Sequence, residues 1–566
     1  MPDSTGSWWQ RNRTFVALSV GLFILNLIQA WGTPVIGDEA YYAAYSRQLD
    51  WGFFDHPPMV AGLIWLGSTL FSKALGLRLF TALLNALLPA LLWQLVPEQT
   101  RQRPKAVWWW FGLLLCIPVF NLYGAVTTPD VPLLFFGTLY LIAFQRFQLR
   151  QRLADAVLLG LAAALVLYSK YHGGILILLS FLLSPSLLLR PGTYVAGATA
   201  VVGLLPHILW QFNNEFITFD YHLNQRTGGN FRIDHVTGYV GGMLGVLNPA
   251  IVGLLLWLRF KRGKFADAQN AFYFRLFLGL IGFFFLYSFR DRIEAHWVAV
   301  ALLPLCVLLF NIATENTRVL KWIVLSSVGL LLLARVAVVM PITHLIPAFH
   351  DTEVLFAGIE QMADEDETVA FVNSYKNAAL YTFHTGKEAT TVTFVPYRQS
   401  QYSLWNQQEA FHNERVLLVG NWKSRWMQAK ALEDDVELVY HRIDSFPLVE
   451  RVSASIVTGK LESFAAGEAG QLSIELHNPY HYAIGFERKD YPISFALRLE
   501  AHGKEHFVPL ELGGLSGLDA NETKQLTASY AAAEIPPGNY NFGITMQPGY
   551  LYPIPIGGRQ KVDVPS

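Results

Sequence analysis

The stretch T-F-V-A-L-S-V-G-L-F-I-L-N-L-I-Q-A-W, residues 14–31, decides the fold class of this chain. It contains no charged residue and follows Arg11 and Arg13. A run of about 17–25 apolar residues can cross a bilayer as a helix, because a helix satisfies its own backbone hydrogen bonds. No small-residue cleavage site follows, and more apolar runs do, so we expect a retained transmembrane helix rather than a signal peptide.

The composition of the whole chain supports a membrane protein. Of its 566 residues, 52% are hydrophobic and only 15% are charged, whereas soluble domains carry roughly 25% charged residues. The net charge of -1 argues against a nucleic-acid partner, which would require a basic surface. Both cysteines, Cys116 and Cys306, lie in apolar runs, so the exported part of the chain has no possible internal disulfide.

Apolar runs continue to about Met340 and predict about eleven spans. The loops between them collect basic residues on one side, for example Arg101, Arg103 and Lys105, which places the N-terminus in the cytoplasm. An odd number of crossings puts the chain beyond about residue 342 outside. The predicted spans are 14–31, 76–96, 107–125, 131–148, 154–170, 173–190, 193–211, 237–259, 271–289, 295–313 and 320–341.

One apolar run, 59–71, is left out of this count. It is short, and it follows Pro57 and Pro58, which suit the first turn of a helix. Counting it as a span would move the basic cluster at Arg101 to the wrong side. We therefore expect a long outer loop over 40–75 that contains interfacial helices, within a transmembrane domain of residues 1–345 whose outer loop covers 32–75.

Five polar motifs from separate loops fall on the predicted outer face. Ionisable residues at membrane depth are costly, so by default they indicate a functional site. The convergence of five loops on one face is the strongest residue-level evidence for such a site. The motifs are G-D-E-A-Y-Y at 37–42, D-H-P-P at 55–58, T-T-P-D-V-P at 127–132, S-K-Y-H-G-G at 169–174 and F-R-D-R-I-E-A-H-W at 289–297.

Each motif also has a structural interpretation that the sequence leaves open. Acids such as Asp38, Asp55 and Asp130 can cap or charge a helix N-terminus. Lys170 and the arginines at 290 and 292 can extend to the interface from helix ends. These two arginines, however, lie on the predicted outer face, whereas basic residues usually lie in cytoplasmic loops. The scattered histidines of the outer face are weak evidence for a metal site, and no ligand cluster requires a metal.

Acids, bases and aromatic residues on one outer face suit glycosyl transfer from a lipid phosphate. Cations can neutralise a phosphate leaving group, and a carboxylate can take a proton from an attacking hydroxyl. Aromatic residues such as Tyr41, Tyr42, Trp51 and Tyr171 can pack on sugar faces. One carboxylate on the acceptor side is enough for single-displacement inversion, by analogy with inverting glycosidases.

The motifs G-D-E-A-Y-Y, D-H-P-P, T-P-D-x-P and S-K-Y occur in this order after one span, with the acidic pair at Asp38 and Glu39. This pattern resembles the C-type (GT-C) glycosyltransferase superfamily, in its bacterial protein-mannosyltransferase-like branch that includes the lipid A aminoarabinose transferases. The resemblance covers about residues 14–345 and, more loosely, the outer domain. It implies a polyprenyl-phosphate-linked sugar donor and transfer with inversion, by a hexosyl- or pentosyltransferase of the bacterial inner membrane. The resemblance does not identify the acceptor, which can be a lipid, a protein or an envelope glycan.

The resemblance also assigns roles to residues. It makes Asp38 and Glu39 the expected catalytic pair, with Asp38 as the catalytic carboxylate and Glu39 next to it as acceptor or structural partner. No cofactor is firmly implied, and a divalent metal is possible but not required. The expected contacts to substrate are Tyr41, Tyr42, Asp55, His56, Asp130, Lys170, Tyr171, Arg290 and Arg292.

The last third of the chain has the pattern of soluble structure. Strand-like runs at 369–372, 391–395 and 416–419 alternate with helical stretches at 377–384 and 404–412, which predicts an α/β domain over 346–449. Short alternating strands from about Arg451 predict a small β-sandwich over 450–566.

Three other functions remain open from the sequence. An envelope-glycan polymerase or ligase would use a lipid diphosphate donor. A transporter or flippase would also hold charges in the membrane, but such proteins usually show paired repeats and charges at mid-membrane. A scaffold without enzymatic activity would leave the convergence of polar loops unexplained.

Overall fold

The structure, a computed structural model, divides into two compact units, Met1–His350 and Asp351–Ser566. We call them the helical unit and the sheet unit. The domain boundaries predicted at 345/346 and 449/450 stay predictions. The described residues are 8–225, 231–262, 267–313, 317–339, 347–393, 399–405, 409, 411–420, 427–457, 469–488, 491–501, 504–531, 533–549, 552–558 and 560–565.

The described part of the helical unit is built from α-helices, two 3-10 segments, Pro185–Leu189 and Ala295–Ala301, and one π-helical segment, Tyr221–Gln225. In chain order the α-helices are α1 (Trp8–Gly32), α2 (Gly37–Arg47), α3 (Met59–Ser68), α4 (Lys73–Trp93), α5 (Glu98–Arg101), α6 (Ala106–Leu115), α7 (Pro118–Leu122), α8 (Asp130–Arg150), α9 (Leu153–Ser169), α10 (Gly173–Leu182), α11 (Pro191–Asn213), α12 (Ile217–Asp220), α13 (Ile233–Leu247), α14 (Pro249–Arg262), α15 (Ala268–Ser288), α16 (Leu302–Ala313) and α17 (Thr317–Val339).

Six of the described helices are long and apolar enough to cross a membrane, or seven if a bent pair counts as one span. The multi-pass membrane fold is therefore confirmed, while the count of eleven spans stays a prediction. Several predicted spans are broken helices. The span expected at 107–125 is interrupted before Pro118, and the span expected at 173–190 is α-helical only to Leu182.

The bent pair is α13 and α14, which meet at 90°. Pro249 lacks an amide and disfavours helical backbone in the residue before it. Asn248 has a positive φ of 69°, a conformation that asparagine adopts more readily than most residues. Its side-chain amide donates to the carbonyl oxygen of Cys116 at 2.8 Å and to the hydroxyl of Ser327 at 2.9 Å. The bend is thus held by a side chain packed against α6 and α17.

Helix α16 lies at the centre of the bundle, and all of its residues are buried. A helix that is apolar on every side is expected in such a position. The outer helices instead expose large apolar side chains, for example Leu330 and Leu333 of α17, which are 67% and 70% exposed. An apolar outer surface of this extent suits a lipid environment.

The short helix α3 occupies the run that was left out of the span count. Its ten residues extend roughly 15 Å at 1.5 Å per residue, about half of the hydrocarbon thickness. It is therefore too short to cross the membrane, as predicted.

The sheet unit begins with an α/β layer. Strands β1 (Thr368–Val372), β2 (Ala389–Val392) and β3 (Val416–Gly420) are parallel, and β4 (Gln428–Ala431) and β5 (Glu437–Ile443) complete a sheet of order β2-β1-β3-β5-β4. The helices are α18 (Pro347–Met362), α19 (Tyr375–Thr385) and α20 (Gln401–Leu404). Part of the predicted strand at 391–395 and part of the predicted helix at 404–412 lie outside the described residues.

The following strands form one antiparallel eight-stranded sheet and a two-stranded ribbon. An isolated β-bridge between Ala454 and Gly557 joins strand β6 (Ser453–Ile456) to the segment that follows strand β14 (Ile554–Pro555). The sheet therefore curls back on itself. The C-terminal sheet region is confirmed, and the sandwich arrangement stays a prediction. The strands are β6 (Ser453–Ile456), β7 (Gly470–His477), β8 (Ile484–Gly485), β9 (Ile493–Ala501), β10 (Lys504–Glu511), β11 (Gly517–Leu518), β12 (Thr523–Tyr530), β13 (Gly538–Pro548), β14 (Ile554–Pro555) and β15 (Gln560–Val564).

Candidate active site

The acidic pair lies in the first turn of α2, where acidic side chains favour the positive end of the helix dipole. Successive residues of a helix point about 100° apart, so the two carboxylates face different surroundings. Asp38 is partly exposed, whereas Glu39 is completely buried. The pair therefore divides into one accessible and one inaccessible acid.

Glu39 is held by Arg78 of α4. The Arg78 Nε donates to Glu39 Oε1 at 2.7 Å, and Nη2 donates to Oε2 at 2.5 Å. The backbone amide of Thr127 also donates to Oε1, at 2.8 Å. Neither charged side chain is exposed, so this geometry favours the structural role of Glu39 over the catalytic one.

The tyrosines of α2 form the inner wall beside the acids. Tyr41 and Tyr45 are 2% and 0% exposed, and the ring of Tyr45 stacks on Phe53 with 4.2 Å between centroids. The Tyr42 hydroxyl lies 3.2 Å from His56 Nε2. Tyr41 and Tyr42, expected to contact sugar, are thus buried side chains that shape the loop around them. Their contact with substrate stays a prediction.

Asp55 lies in the loop between α2 and α3, and the Tyr45 hydroxyl donates to its Oδ1 at 2.5 Å. Burial raises the pKa of Asp55, and the negative charge of Asp38 raises it further. The hydrogen bond from Tyr45 and the nearby imidazole of His222 lower the pKa of Asp55. Burial is therefore the main influence on this carboxyl, and the charge of Asp38 is a lesser one.

Asp130 and Lys170 form a second buried ion pair. The Lys170 Nζ donates to both carboxylate oxygens of Asp130 at 2.8 Å, and the side chains are 3% and 2% exposed. A lysine extending from a helix end to water would be exposed, so the structure does not support that alternative for Lys170. The pair joins the start of α8 to the turn between α9 and α10.

A cavity of about 230 Å³ lies between these elements. Its wall combines one acid, several nitrogen bases and a set of apolar and aromatic side chains. Such a wall can bind a phosphorylated or hydroxylated group while aromatic surfaces bind its apolar part. The lining residues are Asp55, His56, Lys170, Tyr171, His172, Ile175, Thr218, Phe219, His222, Leu223, Phe283, Phe284, Tyr287 and Trp297.

Tyr171 joins this wall to α11. Its hydroxyl lies 3.2 Å from His207 Nε2 and accepts a hydrogen bond from Gln211 Nε2 at 3.1 Å. Gln211 also donates to the Thr218 hydroxyl, which donates to the carbonyl oxygen of Phe53. The loop that bears Asp55 is thereby attached to the segment after α11.

The two arginines of the fifth motif, which were expected to contact the donor, lie at the surface and outside the cavity lining. Both Arg290 and Arg292 are exposed, and Arg292 Nε lies 3.6 Å from Glu294 Oε1. Neither belongs to the lining of the cavity. Their contact with the donor stays a prediction that this geometry does not favour. Among the described residues, no group of three or more His, Cys, Asp or Glu side chains could hold a metal ion.

Two residues of the site were missed by sequence reasoning. Arg78 lies alone in an apolar span, and an ionisable residue inside a span is itself a signal of function or pairing. His222, whose Nε2 lies 3.1 Å from the carbonyl oxygen of Asp55, belongs to no recognisable motif. Its position follows only from the packing of the segment after α12.

Comparisons with known proteins support the resemblance seen in the sequence. A family model described as dolichyl-phosphate-mannose-protein mannosyltransferase matches residues 55–210. The curated lipid A galacturonosyltransferase RgtD of Rhizobium johnstonii is 26% identical over 275 residues, 46% of this chain and 57% of that protein. The chain thus matches little more than half the length of this relative.

Solved structures show the same fold. The crystal structure of ArnT from Cupriavidus metallidurans bound to undecaprenyl phosphate matches with a TM-score of 0.58 at 14% identity, covering 78% of this chain and 100% of that one. The apo structure of ArnT from the same organism matches with a TM-score of 0.57 at 15% identity, covering 77% and 100%. The resemblance to the C-type glycosyltransferase superfamily and the membrane GT-C fold are confirmed.

Proposed function

We propose that this protein is a membrane glycosyltransferase that moves a sugar from a polyprenyl-phosphate donor to an acceptor at the outer membrane face. The observation that carries this proposal is the geometry around the cavity. Asp55 shares the cavity wall with Lys170, His56 and His222, and the partly exposed Asp38 lies in the first turn of α2, the helix that precedes the loop bearing Asp55.

The basic side of the cavity suits the donor phosphate. Lys170 is fixed by Asp130, so its charge is placed without the entropy cost of ordering a mobile side chain. His56 and His222 add imidazole groups that can donate hydrogen bonds to phosphate oxygens. Aromatic residues such as Phe283 and Tyr287 offer an apolar surface for the first isoprene units.

The acidic side suits activation of the acceptor. In the proposed reaction, the carboxylate of Asp38 takes the proton of an acceptor hydroxyl, and the hydroxyl oxygen attacks the anomeric carbon. The bond from that carbon to the phosphate oxygen breaks, and the electron pair leaves with the polyprenyl phosphate. A single displacement of this kind inverts the anomeric configuration. Asp55 then supports the loop and contacts substrate.

A membrane lipid is our proposed acceptor. The curated relative matched over 275 residues is named a lipid A galacturonosyltransferase, and the apolar outer surface of the helical unit gives lipids direct access to the bundle. The orientation with the N-terminus in the cytoplasm follows from the loop charges.

The test compares lipids from cells that carry the wild-type protein, no protein or the Asp38→Asn variant, by mass spectrometry. We expect a sugar-modified lipid only with the wild-type protein. In membranes supplied with a polyprenyl-phosphate sugar, Asp38→Asn should lower kcat by roughly 10²–10⁴, the contribution typical of a general base.

The matched control is Asp291→Asn, since Asp291 lies in an outer loop and does not line the cavity. Its turnover should stay within about twofold of wild type, because substitutions outside the core and outside the cavity usually have small effects. Near-normal turnover of a folded Asp38→Asn variant would remove Asp38 from the mechanism. Unmodified lipids alongside a glycosylated protein or glycan would overturn the lipid acceptor.

A further inference from the structure

A second, polar cavity of about 600 Å³ lies at the opposite end of the helical unit. Helix α15 connects the two sites, since Phe283 and Phe284 line the first cavity and Asp267 and Asn270 line the second. About fourteen residues of helix correspond to roughly 20 Å at 1.5 Å per residue. The second cavity is therefore separate from the candidate active site, at the end that the loop charges assign to the cytoplasm.

The lining of this cavity contains a buried acceptor that has no partner in the described part of the chain. Asn311 is only 6% exposed, and its Nδ2 donates to Asn270 Oδ1 at 3.0 Å. Its Oδ1 is buried and has no hydrogen-bond partner among the residues that the structure describes. Leaving such an atom unsatisfied is unfavourable, so the site is built to receive a group that donates a hydrogen bond.

The rim of the cavity carries both signs of charge. Arg103 supplies a cation, and Glu98 and Asp267 supply anions. Two acids against one base disfavour a purely anionic ligand, whereas a ligand with an ammonium and a phosphate matches both signs. Arginine is well suited to the phosphate, and an ammonium offers three donors for Asn311 and the acids.

From these observations we infer that the second cavity binds a phosphoethanolamine group, supplied by the headgroup of an ethanolamine phospholipid. The phosphate lies against Arg103, and the ammonium donates to Asn311 Oδ1 and to the Asp267 carboxylate. The cavity lies at the end of a transmembrane bundle, where lipid headgroups are abundant. This inference is independent of the proposed function, since it concerns binding alone.

The experiment is native mass spectrometry of the full detergent-solubilised protein, titrated with phosphatidylethanolamine, phosphatidylglycerol or free phosphoethanolamine. We expect one phosphatidylethanolamine to bind at least about tenfold more tightly than phosphatidylglycerol. The variant Asn311→Leu should lose about tenfold in affinity, the effect of removing a hydrogen bond to a charged group. Binding of free phosphoethanolamine as tight as that of the lipid would assign the site to a soluble ligand of the same chemistry.

Two further variants test the inference if Asn311→Leu does not fold. Arg103→Gln should weaken phosphatidylethanolamine binding, whereas the control Arg150→Gln, at an exposed arginine outside the lining, should not. Asp267→Asn keeps a residue that can cap α15 but removes the negative charge, so it should shift preference toward phosphatidylglycerol. Equal affinity for both lipids, or variants that bind like wild type, would show that this cavity does not select a phosphoethanolamine headgroup and would overturn the inference.

Discussion

Replacing Arg78 with leucine tests how the acidic loop is held. The guanidinium has five N–H donors, and all five have acceptors within the bundle. Two meet Glu39, and the others meet the carbonyl oxygens of Ala30, Thr33 and Pro34 at 2.9, 2.7 and 2.9 Å. One side chain thus joins α4 to the end of α1 and the start of α2.

Arg78→Leu should destabilise the protein strongly, because it leaves the buried carboxylate of Glu39 without its cation. In Arg78→Leu the carboxylate of Glu39 stays buried with only backbone amides as partners, at 2.8 Å from Thr127 and 3.3 Å from Ile36. Breaking a buried ion pair by removing one partner costs about 3–5 kcal/mol, because an uncompensated charge is left behind. Adding Glu39→Gln to Arg78→Leu removes that charge and should recover at least about 1 kcal/mol.

The assay is reversible unfolding in mixed micelles with increasing dodecyl sulfate, followed by tryptophan fluorescence. The matched control is Arg275→Leu, an exposed arginine on the membrane-spanning helix α15, which should change the free energy of unfolding by less than about 1 kcal/mol. Two results would refute the role of Arg78 as the partner of a buried charge. One is a free energy of unfolding of Arg78→Leu within about 0.5 kcal/mol of wild type. The other is strictly additive effects of the two substitutions in the double variant.

Other predictions concern the site and the sheet unit. Tyr45→Phe removes a hydrogen bond that lowers the pKa of Asp55, so the acidic limb of the pH–activity profile should move to higher pH; an unchanged profile would exclude ionisation of Asp55 from the rate. Lys170→Met should weaken donor binding at least about tenfold, whereas Arg290→Gln should leave it unchanged, and equal effects in equilibrium binding would contradict the cavity assignment. Burial raises the pKa of Glu450 from 4.5 to about 7, so the stability that its protonated form contributes is full below the unfolded pKa and is lost as pH rises through the folded pKa. Glu450→Gln should therefore raise the unfolding temperature relative to wild type at pH 8 but not at pH 4, as measured by fluorimetry.

The membrane class and much of the helix pattern follow from local sequence. A run such as residues 14–31 must be helical in a bilayer, because no water is present to satisfy its backbone, and α1 indeed covers Trp8–Gly32. The acids of the outer loop were likewise visible, since charge near a membrane is costly wherever the chain folds. The short run at 59–71 could be excluded as a span from its length and from the charge of the loops.

Only the tertiary structure decides which charges meet. Glu39 and Arg78 are 39 residues apart, and Asp130 and Lys170 are 40 apart, so neither pairing follows from spacing along a helix. The structure also separates Asp38 from Glu39 in solvent exposure and places Arg290 outside the cavity lining. The reason is physical: hydropathy and helix formation depend on neighbouring residues, whereas the burial and partners of a charge depend on how distant helices pack.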